Sequence, residues 1–358
     1  MDWTRRRFLG LAAGAAAIAT LRPRPTRAAT GTPSRTIEAL RALVTQRALA
    51  SDDPWVLMHV VLALGADAAN AHGPLLDTVI ARYATRTPKG DRSYVGFPIN
   101  VEAHPNHFLE IMDAIDVPAA RRFAAPGGPI GVDDLLTGAK ALFTPTIAGP
   151  ELSWTLSVFT AAMPPSADRF TNADGQTFTV AGLVETAAQA AEFGYAYTVA
   201  AMRGTKAYGR STLQTYACNG SHVLHGLYDA LRHGYEAKNL RPRVRDLTQA
   251  TYFRLTAEVA LIDQALSSPA QQLNADAAKL QFLGHSIENL RYAERHGIYV
   301  PSDAERAALA TAERNLAEVV QRITSVHNLD ALAASVPSAY RIVLGDACHA
   351  LHGLPESA

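Results

Sequence analysis

Charge imbalance, long apolar runs and cysteine are all scarce in this 358-residue chain. The 33 basic and 33 acidic residues cancel, and only two cysteines occur. Beyond the first 30 residues no apolar stretch approaches the roughly 20 residues of a membrane-spanning helix, so no span is expected in the body of the chain. Without residues 1–28 the chain has 27 basic against 32 acidic residues, and a net charge of −5 argues against nucleic acid as a partner. Two cysteines are too few for a disulfide-built scaffold, and allow at most one bridge. There is no GxSxG, no phosphate-binding loop, no dinucleotide fingerprint and no HExxH, which removes the commonest hydrolase, nucleotide and metalloprotease classes. Aromatics are sparse at 7%, while 48% of residues are hydrophobic, enough for a large core rich in small and aliphatic side chains.

The start of the chain is the exception to the missing apolar runs. Arg5-Arg6-Arg7-Phe8-Leu9, an apolar run from Gly10 to Leu21, and a second basic stretch ending at Ala28 have the three parts of an export signal. The paired arginines followed by Phe-Leu resemble a twin-arginine leader, which implies passage through that export machinery as a folded protein, often after cofactor loading. Residues 1–28 are therefore expected to be removed, and residues 29–358 to act in the periplasm or outside the cell. The leader holds six of the basic residues and one acidic residue, so the remaining chain is mildly acidic.

Apolar period and helix breakers predict helices nearly throughout 29–358, in one domain without a linker. Expected spans are 34–50, 53–64, 73–85, 101–114, 132–143, 150–163, 181–202, 218–235, 244–267, 278–296, 302–325 and 338–352. Only 94–100 and 170–180 read as extended, the latter a hairpin around Asp174-Gly175. Twelve helices in six pairs suggest a bundle, a solenoid or a closed ring of hairpins. Polar residues choose the ring: His59, His104, His107, Glu151, Trp154, Cys218, His222, His225, His285, Glu288, Cys348, His349 and His352 all fall on the even-numbered helices. The expected fold is an all-α (α/α)6 toroid with these side chains converging on a central cavity.

Both cysteines lie inside histidine clusters, Cys218-Asn-Gly-Ser-His222-Val-Leu-His225 and Cys348-His349-Ala-Leu-His352. Thiolate and neutral imidazole are favoured ligands of Zn²⁺ and of softer metals such as copper, and they can meet one ion whether Cys218 lies one turn before His222 on a shared helix face or in the loop capping that helix with Ser221. A Cys218–Cys348 disulfide and two inert buried thiols are the alternatives. His285 and Glu288 share a face and suit proton transfer, with His104 and Glu151 as further acid/base groups. Trp154, His59, His107 and His225 are expected to contact substrate. Tyr195, Tyr197, Tyr208 and Tyr216 crowd one region, and His72, His233, His296 and His327 read as solvated or capping.

Glu102-Ala-His104-Pro-Asn-His107-Phe-Leu, Tyr216-Ala-Cys218-Asn-Gly-Ser-His222 and Gly284-His285-Ser-Ile-Glu288 resemble segments of uncharacterised exported bacterial proteins of the α/α-toroid superfamily. Those carry His-Pro-x-Gln-Phe-Leu, Cys-Gly-Gly-Thr-His and Gly-His-x-x-Glu, so His107 and Asn219 differ from that pattern. The resemblance implies the toroid fold and no particular reaction. Cys218-Asn-Gly220 and Cys348-His349 are weakly similar to the zinc-binding segments of lanthionine cyclases, which implies Cys218, Cys348 and His349 as ligands. Gly284-His285-Ser-Ile-Glu288 also resembles a segment of six-hairpin sugar epimerases and isomerases.

Together these readings predict a zinc-dependent enzyme with Cys218, His222, Cys348 and His349 at the metal, acting on a small molecule, peptide or glycan. A metal-free carbohydrate-active epimerase, lyase or hydrolase, and a non-catalytic binding protein, are the alternatives.

Overall fold

The computed structural model describes residues 32–147 and 149–354, so the expected leader lies outside the described residues. Helices dominate: α1 (Thr32–Leu43), α2 (Pro54–Leu64), α3 (Leu75–Tyr83), α4 (Ile99–Glu102), α5 (His107–Ala114), α6 (Val132–Ala141), α7 (Leu152–Ala162), α8 (Val180–Met202), α9 (Ser221–Arg232), α10 (Leu240–Ala265), α11 (Gln272–Arg295), α12 (Asp303–Ser325), α13 (Leu329–Ser335) and α14 (Pro337–Gly353). Among the described residues strands occur only as two-residue to five-residue antiparallel ribbons in the connections: β1 (Ala69–Asn70) with β2 (Gly73–Pro74), β3 (Thr85–Lys89) with β4 (Arg92–Gly96), β5 (Arg122–Phe123) with β6 (Ile130–Gly131), and β7 (Arg169–Thr171) with β8 (Thr177–Thr179). The chain is all-α, as expected, with the hairpin at 170–180 in place. The extended reading at 94–100 meets β4 only at 94–96, and residues 99–100 instead open α4; β1–β2 and β5–β6 escaped the sequence reading because two-residue segments leave no alternation to detect.

Helix starts follow local chemistry. Asp53 caps α2 by accepting from the Trp55 and Val56 amides (2.9 and 3.2 Å), with Pro54 at the first helical position. Ser302 and Glu305 form a reciprocal capping box at α12. The expected helix 101–114 is two helices. Pro105 has no amide hydrogen to offer, and Ala103 and Asn106 take positive φ (66° and 64°). The Glu102 carboxylate then accepts from the amides of Asn106 (3.1 Å) and Phe108 (3.4 Å), capping α5 from outside.

Burial separates two kinds of helix. In α2, α7, α11 and α14 long consecutive stretches are buried all round, for example 152–160 and 282–290, the mark of helices enclosed on every side. By contrast α12 buries one stripe, Leu309, Ala312, Leu316, Val319, Val320 and Ile323, and turns its charges outward. The enclosed helices pack in order: α2 on α5, α5 on α7, α7 on α9, α9 on α11, α11 on α14, and α14 back on α2. A second set lies against them, with α8 on α10, α10 on α12 and α12 on α1.

Two glycines let enclosed helices approach. A Cβ at Gly226 would lie 2.7 Å from the Ser153 carbonyl oxygen, and one at Gly353 would lie 2.6 Å from the Glu288 Cα. Close contact of α7 with α9, and of α11 with α14, depends on these missing side chains. Among the described residues no helix is long and apolar enough to cross a membrane.

Candidate metal centre

Cys218 does not lie on a helix. It occupies a tight turn ahead of α9 in which Cys218 (φ 47°), Asn219 (φ 53°) and Gly220 (φ 74°) are successively left-handed. For the two residues with a Cβ this conformation costs about 1 kcal/mol each, so the surroundings must hold it. A Cβ at Gly220 would lie 2.2 Å from Leu213 Cδ1 and 2.8 Å from its Cγ, so together with the positive φ the third position favours glycine. The turn leaves the half-buried Cys218 beside His222 of α9 and His285 of α11. One ligand atom from each of the three lies within 4.8 Å of the others, and among the described residues this is the group that meets that test.

Around this group the enclosed helices supply further imidazoles. His285 and His349 have ring centres 3.9 Å apart, His222 and His285 4.9 Å, and His222 and His349 5.3 Å. His59 follows at 4.9 Å from His349 and 5.0 Å from His107. All five rings are buried. Four of them have Nδ1 committed as a donor: His59 to the Trp55 carbonyl (2.6 Å), His107 to the Glu102 carbonyl (3.2 Å), His285 to the Gln281 carbonyl (2.8 Å) and His349 to the Glu288 carboxylate (2.7 Å). A carbonyl only accepts, so the proton must sit on Nδ1 in the first three, and Nε2 keeps its lone pair. This is the arrangement that presents a metal-binding imidazole and fixes its ring. The Nε2 atoms of His107 and His349 are buried without a partner, which in a dry interior costs about 1–3 kcal/mol each unless something binds them.

Electrostatics favour neutral rings. Burial and the neighbouring imidazoles hold His59, His107 and His222 well below the ordinary histidine range, and push His285 to about 3. Burial, with Asp346, Glu288 and Glu151 nearby, raises the Cys218 thiol well above its usual value. Neutral nitrogens and a thiol among carboxylates make a poor anion site and a good cation site.

Glu288 sits below the rings. Its two oxygens accept from His349 (2.7 Å) and His352 (2.6 Å), not from His285, its expected partner one turn earlier. Burial opposes its ionisation, but the two imidazoles prevail and hold its carboxyl well below the usual range. One turn further, His225 donates through Nδ1 to Asn289 (2.8 Å) and turns Nε2 towards Glu110 (3.5 Å) and Asp229 (3.6 Å). Burial lowers its pKa, yet the carboxylates prevail and raise it, while burial lifts Glu110 to about 8. Glu110 and Asp229 were missed in the sequence, although each follows a site histidine on the same face, His107 by three and His222 by seven residues.

Other expected site residues lie differently. Both cysteines are free thiols, and Cys348 packs wholly buried in the apolar core, outside the group formed by Cys218, His222 and His285. Of the expected ligands, Cys218 and His222 belong to that group together with His285, and Cys348 and His349 do not. Trp154 has one face covered by His104, stacked at 3.8 Å and 6°, and His222 lies 4.9 Å away. With 2% exposure the indole is a packing partner of these rings, not an open platform for a sugar. His104 is held there by Glu151 through Nδ1 (2.9 Å). His327, read as solvated, bonds Asp276 instead (2.8 Å). Surface hollows occur elsewhere, one bounded by Met202, Tyr252, Phe253 and Ala308 and another by Asp263, Lys279 and Arg322.

Comparison with protein-family models, with curated proteins and with solved structures found no match.

Proposed function

We propose that this chain is an exported metal-dependent enzyme whose ion is held by Cys218, His222 and His285, with zinc as the resident metal. The observation that carries the reading is the convergence of those three donors within 4.8 Å, from a strained turn and two enclosed helices. One thiolate and two imidazoles make a donor set suited to zinc, and three protein ligands leave a fourth position for water or substrate. Bound there, zinc supplies Lewis acidity and an activated water. His349 lies beside both histidine ligands with Nε2 unpartnered and Nδ1 on Glu288, so it either completes the ligand sphere or accepts a proton at Nε2 from a group in the fourth position.

The closed order of the enclosed helices supports an α/α toroid, and the leader motif supports export after folding, when an ion can already be in place. Copper suits the same donors and is the competing metal. Elemental analysis of mature protein purified without chelator tests the reading. About one zinc per chain, lost in Cys218→Ser, is expected. A wild-type chain that retains no zinc after loading and dialysis, or a Cys218→Ser chain that retains it fully, overturns the assignment.

A further inference from the structure

The turn that carries Cys218 is conformationally expensive, and a buried side chain that none of the site motifs contains bonds to its backbone. Arg254 projects from α10, a helix of the outer set, and is completely buried. Its Nη2 donates to the carbonyl oxygen of Asn219 (3.0 Å), the middle residue of the left-handed turn, and also reaches Glu258 (3.3 Å). Its Nε lies 3.4 Å from the Tyr208 hydroxyl. The guanidinium lies 4.9 Å from the Phe282 ring centre and 5.8 Å from that of Tyr195, so apolar and aromatic walls fix its plane. Glu258, itself buried, is in turn held by the Tyr208 hydroxyl and by Gln214 Nε2 (3.0 and 3.2 Å), and Gln214 belongs to the segment just ahead of the turn.

We infer that Arg254 is the positioning residue of the metal centre: its guanidinium, braced by Glu258, clamps the Cys218–Gly220 turn and thereby aims the Cys218 thiol at His222 and His285. This rests on the metal reading above for its consequence, but the clamp itself is tested through the thiol. Three features point the same way. A buried guanidinium needs both a counter-charge and acceptors, and Arg254 takes one of its acceptors from the carbonyl of Asn219, which precedes the N-cap Gly220 and so lies outside the hydrogen-bond ladder of α9. The turn is also contacted by Gln281, whose side-chain oxygen accepts from Asn219 Nδ2 (3.3 Å) and whose carbonyl accepts from His285 Nδ1. The turn and one of the histidine ligands are therefore referenced to the same residue of α11. Finally, Leu213 fills the space under Gly220, so the turn cannot relax inward. A lysine in place of Arg254 would keep a charge for Glu258 but lacks the planar fork that reaches Asn219 and Tyr208 together.

The test uses mature protein with Cys348→Ala, so that Cys218 is the single thiol. Its readouts are the reaction rate of Cys218 with an aromatic disulfide reagent in metal-free protein, zinc affinity by chelator competition, and the thiolate-to-cobalt absorption band of the Co²⁺ form. Arg254→Met is expected to speed the thiol reaction at least tenfold, weaken zinc at least tenfold and diminish the cobalt band. Arg254→Lys should fall between it and the parent, and serves if the methionine variant does not fold. Adding Asn219→Gly to Arg254→Met or to Arg254→Lys should recover at least half of the loss on a logarithmic scale, because glycine takes the left-handed conformation without a clamp. A general loss of stability would not be repaired there. The inference is overturned if Arg254→Lys and Arg254→Met leave thiol rate and zinc affinity within twofold, or if Asn219→Gly recovers nothing. If the parent protein binds neither Zn²⁺ nor Co²⁺, the metal reading fails by itself and the thiol rates alone decide the clamp.

Discussion

The two Cys/His clusters look alike as text and differ as structure. In the first, Cys218 sits on a left-handed turn and reaches across to histidines on two helices, whereas in the second Cys348 lies within a regular stretch of α14 and faces apolar core. His349 and His352 of that second cluster still meet, on one carboxylate of α11, while Cys348 takes no part. Spacing places side chains on a face only while the helix continues. Where the backbone leaves the helix, the residue before it acquires a direction that periodicity does not give, and that is where the thiol joins the imidazoles.

The largest effects should come from removing the first cysteine and sparing the second. Cys218→Ser is expected to abolish stoichiometric zinc, and Cys348→Ala to leave it intact, both by elemental analysis. Loss of zinc in both variants would mean that the clusters act as one site and would erase the contrast.

Next in size is Glu288→Gln, which leaves His349 and His352 sharing an amide in place of a buried carboxylate. A cost of about 3 kcal/mol is expected in urea denaturation of metal-free protein, with His352→Ala costing less because that ring is part-exposed. Equal costs would show that the second cluster is held by His352 as firmly as by His349.

Cys348→Ala itself should cost about 1 kcal/mol, the value of a small void in a packed core, with unchanged zinc affinity. The smallest effect belongs to a carboxylate–imidazole contact outside both clusters, Asp276 with Arg322 (2.7 Å) and His327 (2.8 Å). Burial raises the Asp276 pKa, but its bonds to Arg322 and His327 outweigh this and depress it. Its stabilisation is therefore complete above the ordinary aspartate value of about 4 and is lost as pH falls through the depressed value. Thermal melts of wild type and Asp276→Asn should differ at pH 6 and converge near pH 2. A difference that persists at pH 2 would mean the site acts by packing alone.

Much of this was legible beforehand. Ser302 with Glu305, Asp53 with Pro54, and Asp174-Gly175 announce helix starts and a hairpin through their own side chains. The alternation of polar-bearing helices pointed to His59, His107, His222, His285 and His349, whose rings do meet. What stayed hidden were the break at 103–106 and which of two places Cys218 takes, the helix or the loop ahead of it, because Ala103 and Cys218 have no intrinsic preference for positive φ and adopt it under tertiary constraint. The pairing of Glu288 with α14 was hidden too, since His349 and His352 belong to another helix and only the glycine gap at Gly353 brings them so close.

The packing of α14 against α2 also has a meaning in time. It joins opposite ends of the described chain, and so does the His59–His349 contact. Contacts of such sequence separation bear the full entropy of loop closure before they return any stability, and they form late. The His349–Glu288 contact closes a much shorter loop, 61 residues, so the costliest closure in the helix order is the one where α14 meets α2.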